Sequence, residues 1–269
     1  MKNFLKLRER KIELGRKTLI MGILNVTPDS FSDGGFFYSP DAAKIHAAKL
    51  VEDGADFIDI GAESTRPDFT PIAAAEEIAR LEKIIPAVKN FGVPVSIDTY
   101  KPEVAAFALE LGADIVNDVS GLRDENMIRV AKKFDAPIIA VHSKKISGDI
   151  IEDVKNFFAR TLDFCRANDF DTSQIIFDVG IGFGKTQEEN ISLLKNLRAF
   201  KIFDAPILLG VSRKSVIGYM TNFGVDSRDE ATGAICVLAA AQGVEIVRVH
   251  NVAMISKMLR AADFLIGGI

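Results

Sequence analysis

Short runs of almost uninterrupted apolar residues alternate along the chain with longer stretches whose apolar positions recur every three or four residues. The runs are 19–24, 57–60, 93–97, 114–116, 137–141, 174–177, 206–211 and 245–249. Segments this short and this apolar suit parallel strands covered on both faces, since a one-sided sheet would show strict alternation. The stretches between them read as helices with marked ends. Ser39-Pro40-Asp41 offers a cap, a proline at the first helical position and an acidic first turn, and Gly54 closes that helix. Thr70-Pro71 opens the next, with Ile78, Leu81, Ile85 and Val88 on one face, and Lys101-Pro102 opens a third, ending before Gly112. Later helices carry Val154, Phe158, Leu162 and Cys165, then Ile191, Leu194 and Leu197, then Ile235, Leu238 and Ala239, then Ile255, Met258 and Leu259.

Eight strands alternating with helices predict a parallel sheet with right-handed crossovers. An α/β fold of the (β/α)8 TIM-barrel type is favoured over an open doubly wound sheet. The strand count is eight, and no Gly-x-Gly-x-x-Gly follows the first strand. The 269 residues fit one domain over 1–269, because such barrels run to roughly 250 residues. Residues 1–15, with Phe4, Leu5, Leu7, Ile12 and Leu14, predict a short strand pair capping the barrel bottom.

Charge narrows the class of ligand. The net charge is −4 and no dense Lys/Arg run occurs, which argues for small anionic substrates and against nucleic acid. Cys165 and Cys236 are too few and too far apart for a disulfide framework or a zinc cluster, so two buried thiols are expected. No apolar run reaches the roughly 18 residues of a membrane span, and the first ten residues are too charged for a signal-peptide core. A cytoplasmic enzyme without a membrane partner is the expectation.

The candidate chemistry lies at the strand exits. In order, the strands run into Asn25 through Gly35, Gly61 through Pro67, Asp98-Thr99, Asn117-Asp118, His142-Ser143, Asp178, Ser212-Arg213-Lys214-Ser215, and Arg248 with His250. A single polar residue at a strand end is commonly a helix cap. Eight such ends converging on one face of a barrel make an active site. Asp98, Asn117 and Asp178 suit the edge of a flat nitrogen-rich heterocycle, where a carboxylate accepts two N–H bonds and an amide both donates and accepts. Lys214, Arg248 and His250 suit a phosphate, and the uncharged Asn25 can offer a carbonyl to a hard cation. Segment 180–186 misses the P-loop pattern by one residue, Val179 standing where its first glycine belongs. His46 is expected on a helix as a surface or packing residue, His142 is open between a role in the site and a bond to a backbone carbonyl, and Arg8, Arg10 and Lys11 are expected to form a solvated turn.

These motifs resemble those of the dihydropteroate synthase family. The resemblance rests on residues 21–35 (MGILNVTPDSFSDGG), 61–67 (GAESTRP), 95–104 (VSIDTYKPEV), 116–121 (VNDVSG), 178–186 (DVGIGFGKT), 212–215 (SRKS) and 248–250 (RVH), in the family's order. It implies a transferase that condenses 6-hydroxymethyl-7,8-dihydropterin pyrophosphate with 4-aminobenzoate, giving 7,8-dihydropteroate and pyrophosphate in folate biosynthesis. It further implies pterin binding by Asp98, Asn117, Asp178 and Lys214, and pyrophosphate handling by Asn25, Arg66, Arg248 and His250, with Mg2+ at Asn25. The same resemblance lines the aminobenzoate pocket with Ser30, Phe31, Thr65, Pro67, Phe183, Lys214 and Ser215. Among these, Asp98, Lys214, Arg248 and His250 are the expected catalytic groups. A homodimer and sensitivity to sulfonamides, with no residue inserted beside Phe31, complete what is implied. The chain departs from the family pattern at His142-Ser143-Lys144-Lys145-Ile146, and at Ala62, Asp68, Val179 and Asn251. The rival expectations are a pterin-binding methyltransferase domain and a non-catalytic pterin-binding paralogue.

Overall fold

The computed structural model describes residues 4–8, 10–26, 40–63, 70–145 and 148–267. Strands β1 (Phe4–Lys6) and β2 (Lys11–Glu13) pair antiparallel with Leu5 opposite Ile12. Eight further strands come after them: β3 (Leu19–Asn25), β4 (Phe57–Gly61), β5 (Val95–Asp98), β6 (Ile115–Asp118), β7 (Ile138–Val141), β8 (Ile175–Asp178), β9 (Ile207–Leu209) and β10 (Ile246–Val249). They close into a parallel barrel in the order β10-β3-β4-β5-β6-β7-β8-β9. The expected TIM barrel is therefore present, and the strand pair seals its lower end. Leu5, Leu7 and Leu14 are buried against Leu19, Met21, Phe57, Ile115, Ile139, Ile176, Leu208 and Ile246, the apolar lower layer of the lumen.

Register explains how the same strands carry polar groups higher up. Asn25 pairs with Gly61, Gly61 with Asp98, and Asp98 with Asn117, so these four lie on one row around the barrel. Side chains two apart on a strand share a face. Asp59, Asp98, Asn117, Asp178 and Arg248 therefore stand directly above Phe57, Ser96, Ile115, Ile176 and Ile246. Their neighbours in sequence, such as Ile58, Ile60, Ile97, Val116, Phe177 and Val247, face the opposite way into the larger core shared with the helices.

The ring of helices departs from the sequence expectation in one place. The apolar periodicity from Ile78 to Val88 is not one helix but two, α2 (Ala74–Leu81) and α3 (Ile84–Lys89), after α1 (Pro40–Glu52). Pro86 is the cause: it has no N–H to give the carbonyl of residue 82, and its ring crowds that carbonyl. The start also shifts, from Thr70-Pro71 to Ala74. Helix α4 (Pro102–Glu110) begins with its proline as expected, followed by α5 (Glu125–Phe134), α6 (Ile150–Ala167), α7 (Gln187–Lys195), α8 (Ser215–Thr221), α9 (Asp229–Ala241) and α10 (Val252–Gly267). Arg8 and Arg10 are not merely solvated: Arg8 Nη1 donates to the Leu109 and Ala113 carbonyls at 2.8 and 3.0 Å, and Arg10 Nη1 to Gly92 O at 2.7 Å. Both thiols are buried as expected, and burial pushes Cys165 and Cys236 up to about 12.

Candidate active site

The upper layer of the lumen is a charged cluster on apolar strands. Arg248, near the end of β10, donates from Nε to Asp59 Oδ2 at 2.6 Å and from Nη2 to Asp98 Oδ2 at 2.9 Å. Asn117 Nδ2 adds a 3.2 Å bond to the same Asp59 oxygen. Asp98, Asn117 and Asp178, expected together from the sequence, are all buried here. Asp59 is not among the residues the sequence singles out. Its only signal is a carboxylate inside an otherwise apolar run, at the lumen parity of Phe57 and Gly61. Arg248 is expected at a phosphate, and in this structure its guanidinium is engaged by two carboxylates within the lumen.

The cluster has acceptor capacity left over. Asp98 Oδ1, Asn117 Oδ1 and Asp59 Oδ1 are buried and have no hydrogen-bond partner among the described residues. Buried acceptors are normally satisfied, so three in one place suit a ligand rich in N–H donors. Asp178 already accepts from Gly180 N at 2.7 Å through Oδ1. Between Asp178 and the rim lies Gly210, where an added Cβ would sit 3.3 Å from Asp178 Oδ2 and 3.9 Å from Lys214 Nζ.

Lys214 caps α8 and turns inward. Its Nζ donates to Ile181 O at 2.5 Å and lies 4.6 Å from the centre of the Phe183 ring. Ser215 begins α8 on the exposed rim and accepts a 3.3 Å bond from Gln187. His250 comes just after β10. Ser212 Oγ accepts from its backbone N–H at 3.2 Å and lies 2.9 Å from Nδ1. Asn25 ends β3 with its carboxamide oxygen against Gly61; a Cβ there would come within 3.3 Å of Oδ1. Ser30, Phe31, Thr65, Arg66 and Pro67 lie outside the described residues. The chain on either side of 64–69 is pinned. Glu63 Oε1 accepts from Ile72 N at 2.7 Å, while Lys101 Nζ donates to Glu63, Glu77 and the Ile72 carbonyl.

Burial and crowding set the electrostatics. Burial, partly offset by Arg248 and reinforced by Asp59, pushes Asp98 up to about 7. Burial also raises Asp178 despite Lys214 beside it, and it lowers Lys214 to about 8 against the pull of Asp178. A carboxylate and an ammonium poised near neutrality, as Asp98 and Lys214 are, are typical of working sites. His142 stands apart from this. Its Nε2 is 3.0 Å from Asp153 Oδ2 on α6, not on a backbone carbonyl, and its ring packs edge-on against Phe157 at 5.3 Å. Burial, with Lys185 nearby, lowers it to about 4, so the ring is neutral near pH 7. His46 is half-buried on α1, as a packing residue.

The chain is similar to known proteins over most of its length. A family profile described as pterin binding enzyme matches residues 21–250. A dihydropteroate synthase of Clostridium beijerinckii is 41% identical over 267 residues, covering 97% of this chain and 99% of that one. A crystal structure of the dihydropteroate synthase of Clostridium difficile, in the presence of pteroic acid, superposes with a TM-score of 0.90 at 44% identity, covering 94% of this chain and 98% of the other. The Yersinia pestis enzyme in complex with a sulfonamide drug gives a TM-score of 0.93 at 33% identity, covering 99% and 100%.

Proposed function

We propose, for a chain that belongs to the dihydropteroate synthase family, that the lumen cluster holds the pterin while the rim handles pyrophosphate and 4-aminobenzoate. The observation that carries the reading is the set of unpartnered acceptors on Asp59, Asp98 and Asn117 beside Asp178, within reach of Lys214. A pterin edge supplies N–H donors for them, and its ring nitrogens and carbonyl accept from Asn117 and Lys214. In the reaction the C–O bond to pyrophosphate breaks, the electron pair leaving with the phosphate. The arylamine nitrogen then forms the new C–N bond and loses a proton. Positive charge building on the pterin in the first step is steadied by the Asp98 carboxylate, and Arg248 keeps that carboxylate ionised.

Arg66, His250 and Asn25 are proposed at the leaving group. Among the described residues no group of three His, Cys, Asp or Glu could hold a metal ion. Mg2+ keeps several waters and takes few protein ligands when phosphate oxygens are present, and the carboxamide oxygen of Asn25 would hold it. When bound it neutralises the departing pyrophosphate. The aminobenzoate site is assigned to Ser30, Phe31, Thr65, Pro67, Phe183, Lys214 and Ser215. A homodimer is supported by exposed Tyr219, Met220, Phe223, Val225 and Leu238 on and around α8 and α9. No helix among the described residues is long and apolar enough to cross a membrane, and a cytoplasmic setting suits two free thiols.

The ionisation states give a signed pH profile. Asp98 must be a carboxylate, so kcat/KM rises as pH climbs through about 7. Lys214 must be an ammonium, so the rate falls as pH climbs through about 8. A bell with its maximum between these limbs is expected, and a flat profile from about pH 6 to 9 contradicts the assignment.

The experiment for the rim assignment is sulfonamide inhibition at several 4-aminobenzoate concentrations. Inhibition should be competitive with 4-aminobenzoate and strongest after pterin pyrophosphate has been added. No inhibition, or inhibition indifferent to 4-aminobenzoate, rejects the pocket.

A further inference from the structure

The near-miss phosphate motif holds a lysine that the reaction does not use. Lys185 Nζ donates to His142 O at 2.8 Å, Gly180 O at 2.8 Å and Phe183 O at 3.0 Å. An ammonium has three hydrogens, and all three are spent on backbone carbonyls, which leaves none for a phosphate. Among the described residues no carboxylate forms an ion pair with it, and burial lowers it to about 7. A half-buried charge held by neutral carbonyls is costly to place, so its return must lie in the geometry it imposes.

That geometry is a short loop folded tightly on the end of β7. Gly180, Gly182 and Gly184 all have positive φ, of +68°, +84° and +56°. A Cβ on Gly180 would stand 2.0 Å from His142 O, so the loop backbone rests directly on the neighbouring strand exit. Asn190, buried on α7, accepts from Gly182 N at 2.8 Å and donates to Thr186 O at 2.8 Å, closing the far side. The surface this loop presents is what Lys214 leans on, through the Ile181 carbonyl and the Phe183 ring. Lys145, from the segment that departs from the family pattern, pairs with Glu189 on α7 and joins the same two elements outside the loop.

We propose that Lys185 is a positioning residue for the arylamine substrate. By gathering three carbonyls on one ammonium it fixes the Phe183 ring and, through that ring and Ile181 O, the Lys214 ammonium. This rests on the reading that Phe183 and Lys214 border 4-aminobenzoate. The pterin depends less on the loop: Asp98, Asn117 and the backbone of Asp178 stand in the strand ladder, and the loop reaches the pterin only through Lys214 and the Gly180 N–H on Asp178 Oδ1.

The test is a series with falling donor number, Lys185→Gln and Lys185→Met, in the full-length protein. The measurements are KM for each substrate, kcat, and calorimetric affinity for pterin pyrophosphate. In Lys185→Met the KM for 4-aminobenzoate should rise about tenfold, in Lys185→Gln by less, with kcat and pterin pyrophosphate affinity changed less than about threefold. Should Lys185→Met not fold, Lys185→Gln alone decides by the same split. A lower melting temperature with both KM values unchanged, or equal weakening of both substrates, overturns the proposal. A wild-type protein that does not turn over both substrates instead overturns the reading beneath it.

Discussion

Asp178→Ala is expected to lower the affinity for pterin pyrophosphate several hundredfold while the protein stays folded. Asp178 ends an apolar strand, is buried, and has one oxygen committed to Gly180 N, with the other beside Lys214. A bidentate grip on two N–H groups is lost, at about 1.5–3 kcal/mol for each hydrogen bond to a charged group. Removing a buried carboxylate whose burial raises its pKa also relieves a desolvation cost, so stability should not suffer in proportion. Titration calorimetry checks it; unchanged affinity in a folded variant would sink the assignment.

Arg248→Ala should be the more damaging change, because two buried carboxylates share that guanidinium. Removing one partner of a buried pair costs about 3–5 kcal/mol of stability, which for a chain of this size is a fall in Tm on the order of 10 °C. Asp98 loses the cation that holds its pKa down and becomes largely protonated near neutral pH. The loss of turnover should then exceed roughly a thousandfold, since the group that steadies the cationic pterin is neutral. Adding Asp59→Asn should restore part of the Tm and none of the turnover. If the double variant regained activity, Arg248 would be a structural counter-ion alone.

How much of the fold and site is legible in the sequence depends on whether a residue's signal is local. Apolar runs bounded by turns mark all eight strands, and Asp98, Asn117 and Asp178 stand out because a short polar residue ends each run. Their convergence needs only the rule that strand ends of a barrel meet. Asp59 escapes because it sits inside a run, where a lone carboxylate has no local partner; its partner Arg248 is 189 residues away. The break between α2 and α3 is hidden by periodicity that continues through Pro86 while the backbone cannot. Lys185 sits in a near-miss phosphate motif, yet its three acceptors include a carbonyl 43 residues away on another strand exit. The partner of His142 is likewise a carboxylate on the next helix, a contact set by packing and not by spacing.

If the lumen and rim work together as assigned, they expel pyrophosphate from a pterin and pass the pterin to an arylamine. Pyrophosphate release on mixing the full-length protein with pterin pyrophosphate, 4-aminobenzoate and Mg2+ addresses this directly. Release should run in step with 7,8-dihydropteroate formation and be arrested by excess chelator. A folded protein that releases no pyrophosphate with both substrates present, or continues undiminished in chelator, would contradict it.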